Sequence, residues 1–248
     1  MAQPGHRLLN ASPGCLRRTA LKWVVSGDVA TAERAAARYI AMRLRDAVQE
    51  RGRATFAISG GRSPWGLFGG LASQDVEWHA VHLFQVDERI APQAPEARNW
   101  LRFLANPLAQ RIAEAHRHAM PIAIEDAQRA AREYEAELTS GTGDPPTLDV
   151  VHLGLGADGH TASLFAGDPL SEESARWVGV SRVHDGYRRL TLTFPTLNRA
   201  RCIVWFVVGT ERRDAMRRLR AGDASIPASR VQRERATGFA DSQAAPDD

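Results

Sequence analysis

The chain has 248 residues, of which 44% are hydrophobic and 25% charged, and its formal net charge is +3. These proportions are typical of a globular protein and exclude a disordered chain, and the length is sufficient for one large buried core. Lys22 is the only lysine, so nearly all the positive charge is arginine, and no basic block interleaved with aromatic residues indicates a nucleic-acid surface.

The cysteine, histidine and apolar patterns exclude further classes of protein. Cys15 and Cys202 lie far apart, and neither the Cys-x-x-Cys nor the His-Glu-x-x-His spacing of metal sites occurs. No apolar stretch reaches the length of a membrane span, and the N-terminus lacks the continuous apolar segment of a secretory signal. We therefore expect a cytoplasmic protein that needs no metal or other cofactor and does not contact membranes.

The composition of the first residues predicts a segment of low order. Residues 1–22 contain proline, glycine and scattered arginine without periodicity, which predicts a poorly ordered leader. Residues 23–248 contain no internal repeat and no low-complexity linker, so we predict a single domain. A short strand is expected at about 22–25, and Asp28 is predicted to cap a long amphipathic helix that Gly52 terminates.

Apolar runs alternate with helical patterns beyond this first helix. Strands are predicted at 55–58, 81–86, 148–153, 177–180, 189–194, 201–208 and 236–240, and helices at 98–108, 125–139 and 211–220, with further helices beginning near Ser63 and after His160. The alternation predicts an α/β fold, in which a largely parallel twisted sheet is flanked by helices on both faces in a single three-layer domain. The strand at 189–194 alternates polar with apolar residues, which predicts one exposed face.

Polar or glycine-rich segments follow three of the predicted strands, at 59–64, 87–89 and 154–161. Ligands of parallel sheets bind in the crevice outside the carboxyl ends of the strands. If the three strands are neighbours, the three segments converge on one crevice.

The first of these segments has the components of an anion-binding loop. Backbone amides of Gly60 and Gly61 at a helix N-terminus favour negative charge, and the side chains of Ser59, Arg62 and Ser63 can add hydrogen bonds. Ser63 can also cap the helix, since the proline after it suits the first helical position. The alternative is a capped turn that needs its glycines only for geometry.

The third segment combines glycines with an acid and a histidine. Gly156 and Gly159 allow backbone amides to approach a ligand closely, with Asp158 between them. A histidine at the mouth of a helix, here His160, can accept a proton near neutral pH. The alternative is a tight strand-to-helix turn, which explains the glycines better than it explains Asp158 and His160 together.

The run Gly-Leu-Gly-Ala-Asp-Gly-His-Thr-Ala-Ser-Leu-Phe at 154–165 resembles the signature of the 6-phosphogluconolactonase family, hydrolases of a phosphosugar lactone. Glucosamine-6-phosphate deaminases share the Gly-x-Asp-Gly-His core but usually continue with Ile-Ala-Phe-Asn-Glu. The continuation Thr-Ala-Ser-Leu-Phe favours the lactonases. The resemblance extends from about residue 23 to about 245, with weak matches at 211–212 and 227–231.

Two further segments resemble motifs of the same family. The anion-binding loop resembles its phosphate loop, Ser-Gly-Gly-x-[ST]-Pro, and the segment at 87–89 resembles its Asp-Glu-Arg element. The resemblance implies that Asp87 and Arg89 face the substrate: Arg89 holds the phosphate or the developing oxyanion, and Asp87 orients Arg89 or a substrate hydroxyl. A surface charge cluster is the alternative. Asn99 matches a family asparagine, although Arg98 stands where a serine is usual.

The run at 189–198 is close to the family's Arg-x-Thr-Leu-Thr-x-Pro-x-Leu-Asn, which makes Arg189 a candidate ligand contact. The family usually leads into this run with Lys-Pro-Pro, whose lysine helps to bind phosphate. Here the sequence is His-Asp-Gly-Tyr, with His184 at the position of the lysine. Either His184 binds phosphate as a cation, or the loop has drifted and Arg188 substitutes for the charge.

The resemblance implies hydrolysis of 6-phospho-D-glucono-1,5-lactone to 6-phospho-D-gluconate, a step of the oxidative pentose phosphate pathway. His160 then acts as the general base that activates water, Asp87 and Arg89 complete the catalytic set, and the glycine-rich segments bind the substrate. A phosphosugar deaminase or isomerase on the same scaffold and a non-catalytic phosphosugar-binding protein are the alternatives. We expect a small-molecule phosphosugar as partner, no nucleic acid, and a monomer or weak homo-oligomer.

Overall fold

The computed structural model of the protein describes residues 21–61 and 63–245. The predicted leader falls almost wholly on residues 1–20, which lie outside the described residues, as does Arg62. Within the described part, Leu21 is buried and Lys22 begins the first strand. None of the helices found there is long and apolar enough to cross a lipid bilayer.

Helices and strands alternate along the described residues. The helices are α1 (Val29–Arg51), α2 (Trp65–Ala72), α3 (Asn99–Leu104), α4 (Pro107–Arg111), α5 (Ala127–Thr142), α6 (Phe194–Arg199) and α7 (Arg213–Ala221). The strands are β1 (Lys22–Ser26), β2 (Ala54–Ile58), β3 (Val81–Gln85), β4 (Asp87–Arg89), β5 (Arg117–His118), β6 (Val150–Leu153), β7 (Val178–Val180), β8 (Arg189–Leu192), β9 (Cys202–Val207) and β10 (Ala236–Asp241).

A seven-stranded sheet forms the centre of the molecule, in the order β1-β10-β9-β6-β2-β3-β5. All of its paired strands run parallel. Strands of such sheets are covered on both faces and read as continuous apolar runs, and all six residues of β9 are accordingly buried. A second sheet has three antiparallel strands, in the order β4-β8-β7.

Hydrophobic cores lie on both faces of the central sheet. One core packs α1, α2 and α4 against residues such as Phe56 and Val204. The other packs α5, α7 and the second sheet against residues of the opposite face, such as Ala57 and Trp205. Because successive side chains of a strand point to opposite faces, β2 and β9 supply both cores. The predicted α/β class, with helices on both faces of a parallel sheet, is confirmed.

The first helix begins and ends as its sequence predicts. The Asp28 carboxylate accepts a hydrogen bond from the Thr31 backbone N–H at 2.7 Å, which satisfies one of the donors left open at a helix start. Gly52 ends α1 with φ of +73° and donates its backbone N–H to the Val48 carbonyl.

Two predicted elements outside the three polar segments differ in the structure. The helix predicted at 98–108 is divided into α3 and α4, because Asn106 is extended and caps α4, with Pro107 in its first turn. The exposed face predicted for the strand at 189–194 is wrong, since every residue of β8 is buried. β8 is the middle strand of the second sheet, and its polar side chains have partners inside the molecule: the Thr191 hydroxyl accepts the Ser163 N–H at 3.1 Å.

Candidate active site

The three polar segments that follow β2, β3 and β6 converge on one cavity of about 360 Å³ at the carboxyl ends of these strands. The convergence follows from the strand order, because β6, β2 and β3 are adjacent and parallel. Ten of the predicted site residues line the cavity: Ser59, Gly60, Gly61, Ser63, Asp87, Arg89, Asn99, Gly156, His160 and Arg189.

The other predicted site residues have different positions. Arg62 lies outside the described residues. Asp158 contacts the imidazole of His160, and Gly159 packs against Ile226, where an added Cβ would come within 2.4 Å of a side-chain carbon. His184 stacks on Phe165 with ring centroids 3.6 Å apart, and its Nε2 lies 3.5 Å from the Asp168 carboxylate. Asp158, Gly159 and His184 are not among the described residues that line the cavity.

His160 and Asp158 form an acid–imidazole pair at the cavity wall. Their Nδ1 and Oδ1 atoms are 2.5 Å apart. The hydrogen bond from His160 lowers the pKa of the Asp158 carboxyl to about 2, so this group is ionised at neutral pH and can only accept a hydrogen bond. The proton of a neutral His160 ring therefore lies on Nδ1, and Nε2 is the nitrogen that can take a proton.

Gly156 provides the space that this pair occupies. A Cβ at Gly156 would lie 2.1 Å from His160 Nδ1 and 2.6 Å from Asp158 Oδ1. By contrast, a Cβ at Gly154 would meet no atom within 4 Å. Glycine at 156 is therefore a steric requirement of the acid–imidazole pair itself.

The helix predicted to begin after His160 is absent from the described chain, and a series of turns replaces it. Gly159, with φ of +87°, donates its N–H to the Gly156 carbonyl, and Gly156 donates to the His160 carbonyl at 2.8 Å. The Ala162 φ of +52° is left-handed and incompatible with an α-helix at that point. His160 is therefore held by a closed turn and not by a helix N-terminus.

The anion-binding loop is shaped by close contact with Asn99. A Cβ at Gly60 would lie 2.1 Å from the Asn99 Cγ, and the Gly61 N–H donates to Asn99 Oδ1 at 3.3 Å. Ser63 does not cap the following helix as predicted: α2 begins at Trp65, Pro64 takes the cap position, and no side-chain cap bond forms. The buried Ser59 hydroxyl has no hydrogen-bond partner among the described residues.

The Asp-Glu-Arg segment is strand β4 of the second sheet and not a surface charge cluster. Asp87 is 7% exposed, and its Oδ2 accepts the Ser163 hydroxyl at 2.7 Å. Arg89 reaches the Ala97 carbonyl at 2.6 Å. The fully buried Glu88 accepts the backbone N–H of Asn99 at 2.9 Å, which fixes the start of α3 beside the cavity. Burial raises the pKa of the Glu88 carboxyl.

Arg189 faces the cavity from β8, directly across the sheet from Arg89. Its guanidinium is nearly buried and has weak partners, the His184 carbonyl and the Asp185 carboxylate, each at 3.4 Å. Burial, which disfavours the charged form, lowers the pKa of Arg189.

Outside the three polar segments, the structure adds six cavity-lining residues that the sequence analysis did not place in the site: His152, Ala162, Asp185, Phe206, Glu211 and Arg212. The rule that located the other segments also locates Arg212, because it follows the carboxyl end of β9, which neighbours β6. Arg212 is held by the carbonyls of Leu155 and Val208, at 3.1 and 2.9 Å.

His152 is buried beneath the cavity and differs in chemistry from His160. Both of its ring nitrogens lack a hydrogen-bond partner among the described residues, and its ring packs edge-on against Phe68. Burial lowers the pKa of His152 to about 3, so the ring is neutral at physiological pH. The described residues contain no group of three or more His, Cys, Asp or Glu side chains placed to hold a metal ion.

Comparison with known proteins identifies the family. The model of the glucosamine-6-phosphate isomerase/6-phosphogluconolactonase family matches residues 27–239. The chain belongs to this family. A 6-phosphogluconolactonase of Synechocystis sp. is 38% identical, over 75% of this chain and 79% of its own length. A 6-phosphogluconolactonase of Nostoc sp. is 33% identical, over 78% of this chain and 83% of its own length.

A crystal structure of a 6-phosphogluconolactonase from Shewanella baltica agrees with this assignment. It superposes with a TM-score of 0.81 at 25% identity, covering 91% of this chain and 99% of that chain. The resemblance carried by residues 154–165 is therefore confirmed at the level of the glucosamine-6-phosphate isomerase/6-phosphogluconolactonase family.

Proposed function

We propose that the protein hydrolyses 6-phospho-D-glucono-1,5-lactone to 6-phospho-D-gluconate, a step of the oxidative pentose phosphate pathway. The observation that carries the proposal is the Asp158–His160 pair, which faces the same cavity as a glycine-rich anion-binding loop. The lactonases of Synechocystis sp. and Nostoc sp., similar over most of the chain, support this activity.

His160 is the general base of the reaction. Its Nε2 takes a proton from a water molecule while the water oxygen attacks the lactone carbonyl carbon. The protonated imidazole then gives the proton to the ring oxygen of the lactone as the C1–O bond breaks, so that His160 ends neutral. Asp158 stabilises the imidazolium that forms in between. General base catalysis of this kind contributes on the order of 10²–10⁴-fold to the rate.

The remaining cavity residues bind charge and orient the substrate. The Gly60 amide, with the side chains of Ser59 and Ser63, holds the phosphate, and the carbonyl of the lactone is thereby directed towards His160. Because a lactone carbonyl is already electrophilic, directing it towards the base is sufficient, and no covalent nucleophile is required.

The charged residues of the second sheet have separate roles. Arg89, fixed by its bond to the Ala97 carbonyl, faces the charge that develops on the carbonyl oxygen. Asp87, fixed by Ser163, orients a substrate hydroxyl. Asn99 acts through the loop, because it positions Gly60 and Gly61.

The two alternatives are less well supported. The Thr-Ala-Ser-Leu-Phe continuation at 161–165 favours a lactonase over a phosphosugar deaminase or isomerase. A non-catalytic phosphosugar-binding protein is favoured only by the altered segment at 184–187, and the bond between Asp158 and His160 has no role in mere binding.

Two assays on the purified protein test the proposal. We expect release of acid from freshly generated 6-phosphogluconolactone well above the rate of spontaneous hydrolysis, and no ammonia from glucosamine-6-phosphate. Ammonia release without lactonase activity would establish the deaminase. Binding of 6-phosphogluconate with neither activity would establish the binding protein. A cytoplasmic location and a monomeric or weakly oligomeric state remain predictions.

A further inference from the structure

The segment at 182–188 forms a hairpin between β7 and β8 whose tip reaches the cavity. His184 and Tyr187 exchange two backbone hydrogen bonds, of 2.9 and 3.1 Å, across a two-residue turn. The turn residues, Asp185 and Gly186, have φ of +49° and +83°. Positive φ at both positions is the pattern of a type I′ turn, which joins antiparallel strands with the correct twist. Asp185 at its tip lines the cavity.

Arg189 is a cation with too few partners. Its side chain is 6% exposed, its two side-chain hydrogen bonds to described residues are both 3.4 Å long, and its guanidinium lies over the Phe165 ring, 5.3 Å from the centroid. Its Nε is buried without a hydrogen-bond partner among the described residues. The antiparallel register sets it directly opposite Arg89, and like charges directly opposite each other are destabilising. Asp87 on β4 offsets part of this repulsion, and its carboxylate also accepts the Ser163 hydroxyl at 2.7 Å. This pair of arginines therefore favours an additional anion.

Asp185 supplies such an anion, but it holds Arg189 weakly. The two side chains are 3.4 Å apart, and that of Asp185 is 92% exposed. An ion pair with one fully hydrated partner contributes little free energy, so another anion can replace the carboxylate at low cost. The Asp158 carboxylate, by comparison, lies 2.5 Å from His160.

We propose that Asp185 is a displaceable counter-ion of Arg189, which keeps the guanidinium at the cavity wall and gives way to an oxyanion of the phosphosugar. The role of Asp185 rests on the proposed function, in that the oxyanion is either the phosphate group or the C1 oxygens of the sugar acid. Asp185 sets substrate affinity, because every molecule that binds must first replace its carboxylate.

The substitution Asp185→Asn tests the proposal without altering the turn, because asparagine is among the residues that adopt positive φ most readily. Calorimetric titration with 6-phosphogluconate should show a Kd about two- to fivefold lower than that of the wild type, the range expected for loss of one exposed ion pair. The difference should shrink in high salt, which screens exposed charges. KM for the lactone should fall in parallel if the displacing group is the phosphate, and should stay unchanged if it is the C1 carboxylate, which the lactone lacks.

Titrations with inorganic phosphate and with gluconate identify the displacing group. If Asp185→Asn binds phosphate, but not gluconate, more tightly than the wild type does, the displacing group is the phosphate. If it binds gluconate, but not phosphate, more tightly, the displacing group is the C1 oxygens. The matched control is Asp214→Asn, which removes an exposed carboxylate paired with Arg217 at 2.6 Å on α7 and should leave every Kd unchanged.

An unchanged or higher Kd for 6-phosphogluconate in Asp185→Asn would overturn the proposed role of Asp185. This outcome is distinct from failure of the proposed function, which is read from the lactonase activity of the wild type, whereas the titrations measure binding alone.

Discussion

The turn at 156–160 and the hairpin at 184–187 flank the same cavity, and each combines at least one positive-φ residue with a histidine and an aspartate. In the turn, the aspartate contacts its partner at 2.5 Å, and a glycine is needed for the pair to fit. In the hairpin, the aspartate contacts its partner at 3.4 Å, and Gly186 has open space around it. The two regions therefore have similar residues, but only the turn holds its aspartate in close contact with a partner.

This difference follows from what each region does in the proposed reaction. A general base must hold its acceptor nitrogen within hydrogen-bond reach of one water molecule, so small displacements reduce the rate. A counter-ion acts through charge, whose effect changes gradually with distance, and it functions by moving away. In the proposed reaction, the tightly bonded Asp158 therefore supports the chemistry, and the loosely bonded Asp185 tunes the binding of charge.

The largest effect is expected from removal of the base. His160→Ala should lower kcat by about 10²–10⁴-fold while the Kd for 6-phosphogluconate changes by no more than about twofold. Steady-state kinetics and calorimetry on the same preparation measure both quantities. His79→Ala, at an exposed position outside the cavity, is the control. Loss of binding with turnover per bound substrate intact would contradict the role of His160.

A displaced base should cost nearly as much as a missing one. Gly156→Ala forces the His160 ring and the Asp158 carboxylate apart, since its Cβ would lie 2.1 Å from Nδ1. A displacement of about 1 Å is expected to reduce kcat by about 10²-fold. Gly69→Ala, on α2 and outside the cavity, is the matched control, because its Cβ meets nothing within 4 Å. Equal kcat values for the two variants would show that the turn tolerates movement and would remove the distinction between the two regions.

The hairpin histidine should contribute to packing more than to turnover. His184 stacks on Phe165, which in turn packs against His160 at 4.6 Å between ring centroids. We expect His184→Ala to lower the free energy of unfolding by about 1 kcal/mol, as for loss of one aromatic pair, and kcat by less than about tenfold. Chemical denaturation and kinetics measure the two effects. A rise in KM above about tenfold would instead support the phosphate contact predicted from sequence.

The smallest effect concerns acid stability. The pKa of Asp158 is lowered from 3.8 to about 2, so its stabilising contribution is complete above about pH 4 and is lost as the pH falls through 2. Because this side chain is 62% exposed, the contribution stays below about 1 kcal/mol. The difference in unfolding free energy between the wild type and Asp158→Asn should therefore shrink between about pH 5 and pH 2.

Denaturation curves across this range isolate Asp158, because the other acid-sensitive groups, such as His152 and His82, are common to both proteins. His152, with a pKa of about 3, binds a proton more readily when unfolded and destabilises both proteins equally below about pH 6.5. A difference that stays constant down to pH 2 would show that the carboxylate is not stabilised by His160.

The sequence predicts those features whose causes are local. Asp28 and Gly52 bound α1 through contacts within four residues, and the segments after β2, β3 and β6 meet because parallel neighbours end at one edge. The features that depend on distant partners are missed. Val86 and Thr191, which join the second sheet to β3, are 105 positions apart, so nothing near β8 indicates that its polar residues are buried.

The same distinction applies inside the site. The glycines and His160 are evident from a short run, whereas the helix expected after His160 is replaced by turns that Ser163 ties to Asp87 and Thr191. His184 stands at the position of the family's lysine but packs on Phe165, and no sequence pattern near residue 184 predicts this contact. Arg212 is not predicted because the crevice is expected only beyond the carboxyl ends of β2, β3 and β6, and Arg212 follows β9.

The most direct test of the account is a crystal structure of the protein soaked with 6-phosphogluconate. We predict that the phosphate binds the anion-binding loop through the Gly60 amide, and that C1 lies next to His160 Nε2, with Asp158 still on Nδ1. A product bound with C1 remote from His160, or with the imidazole turned away from it, would contradict the assignment of His160 as the base.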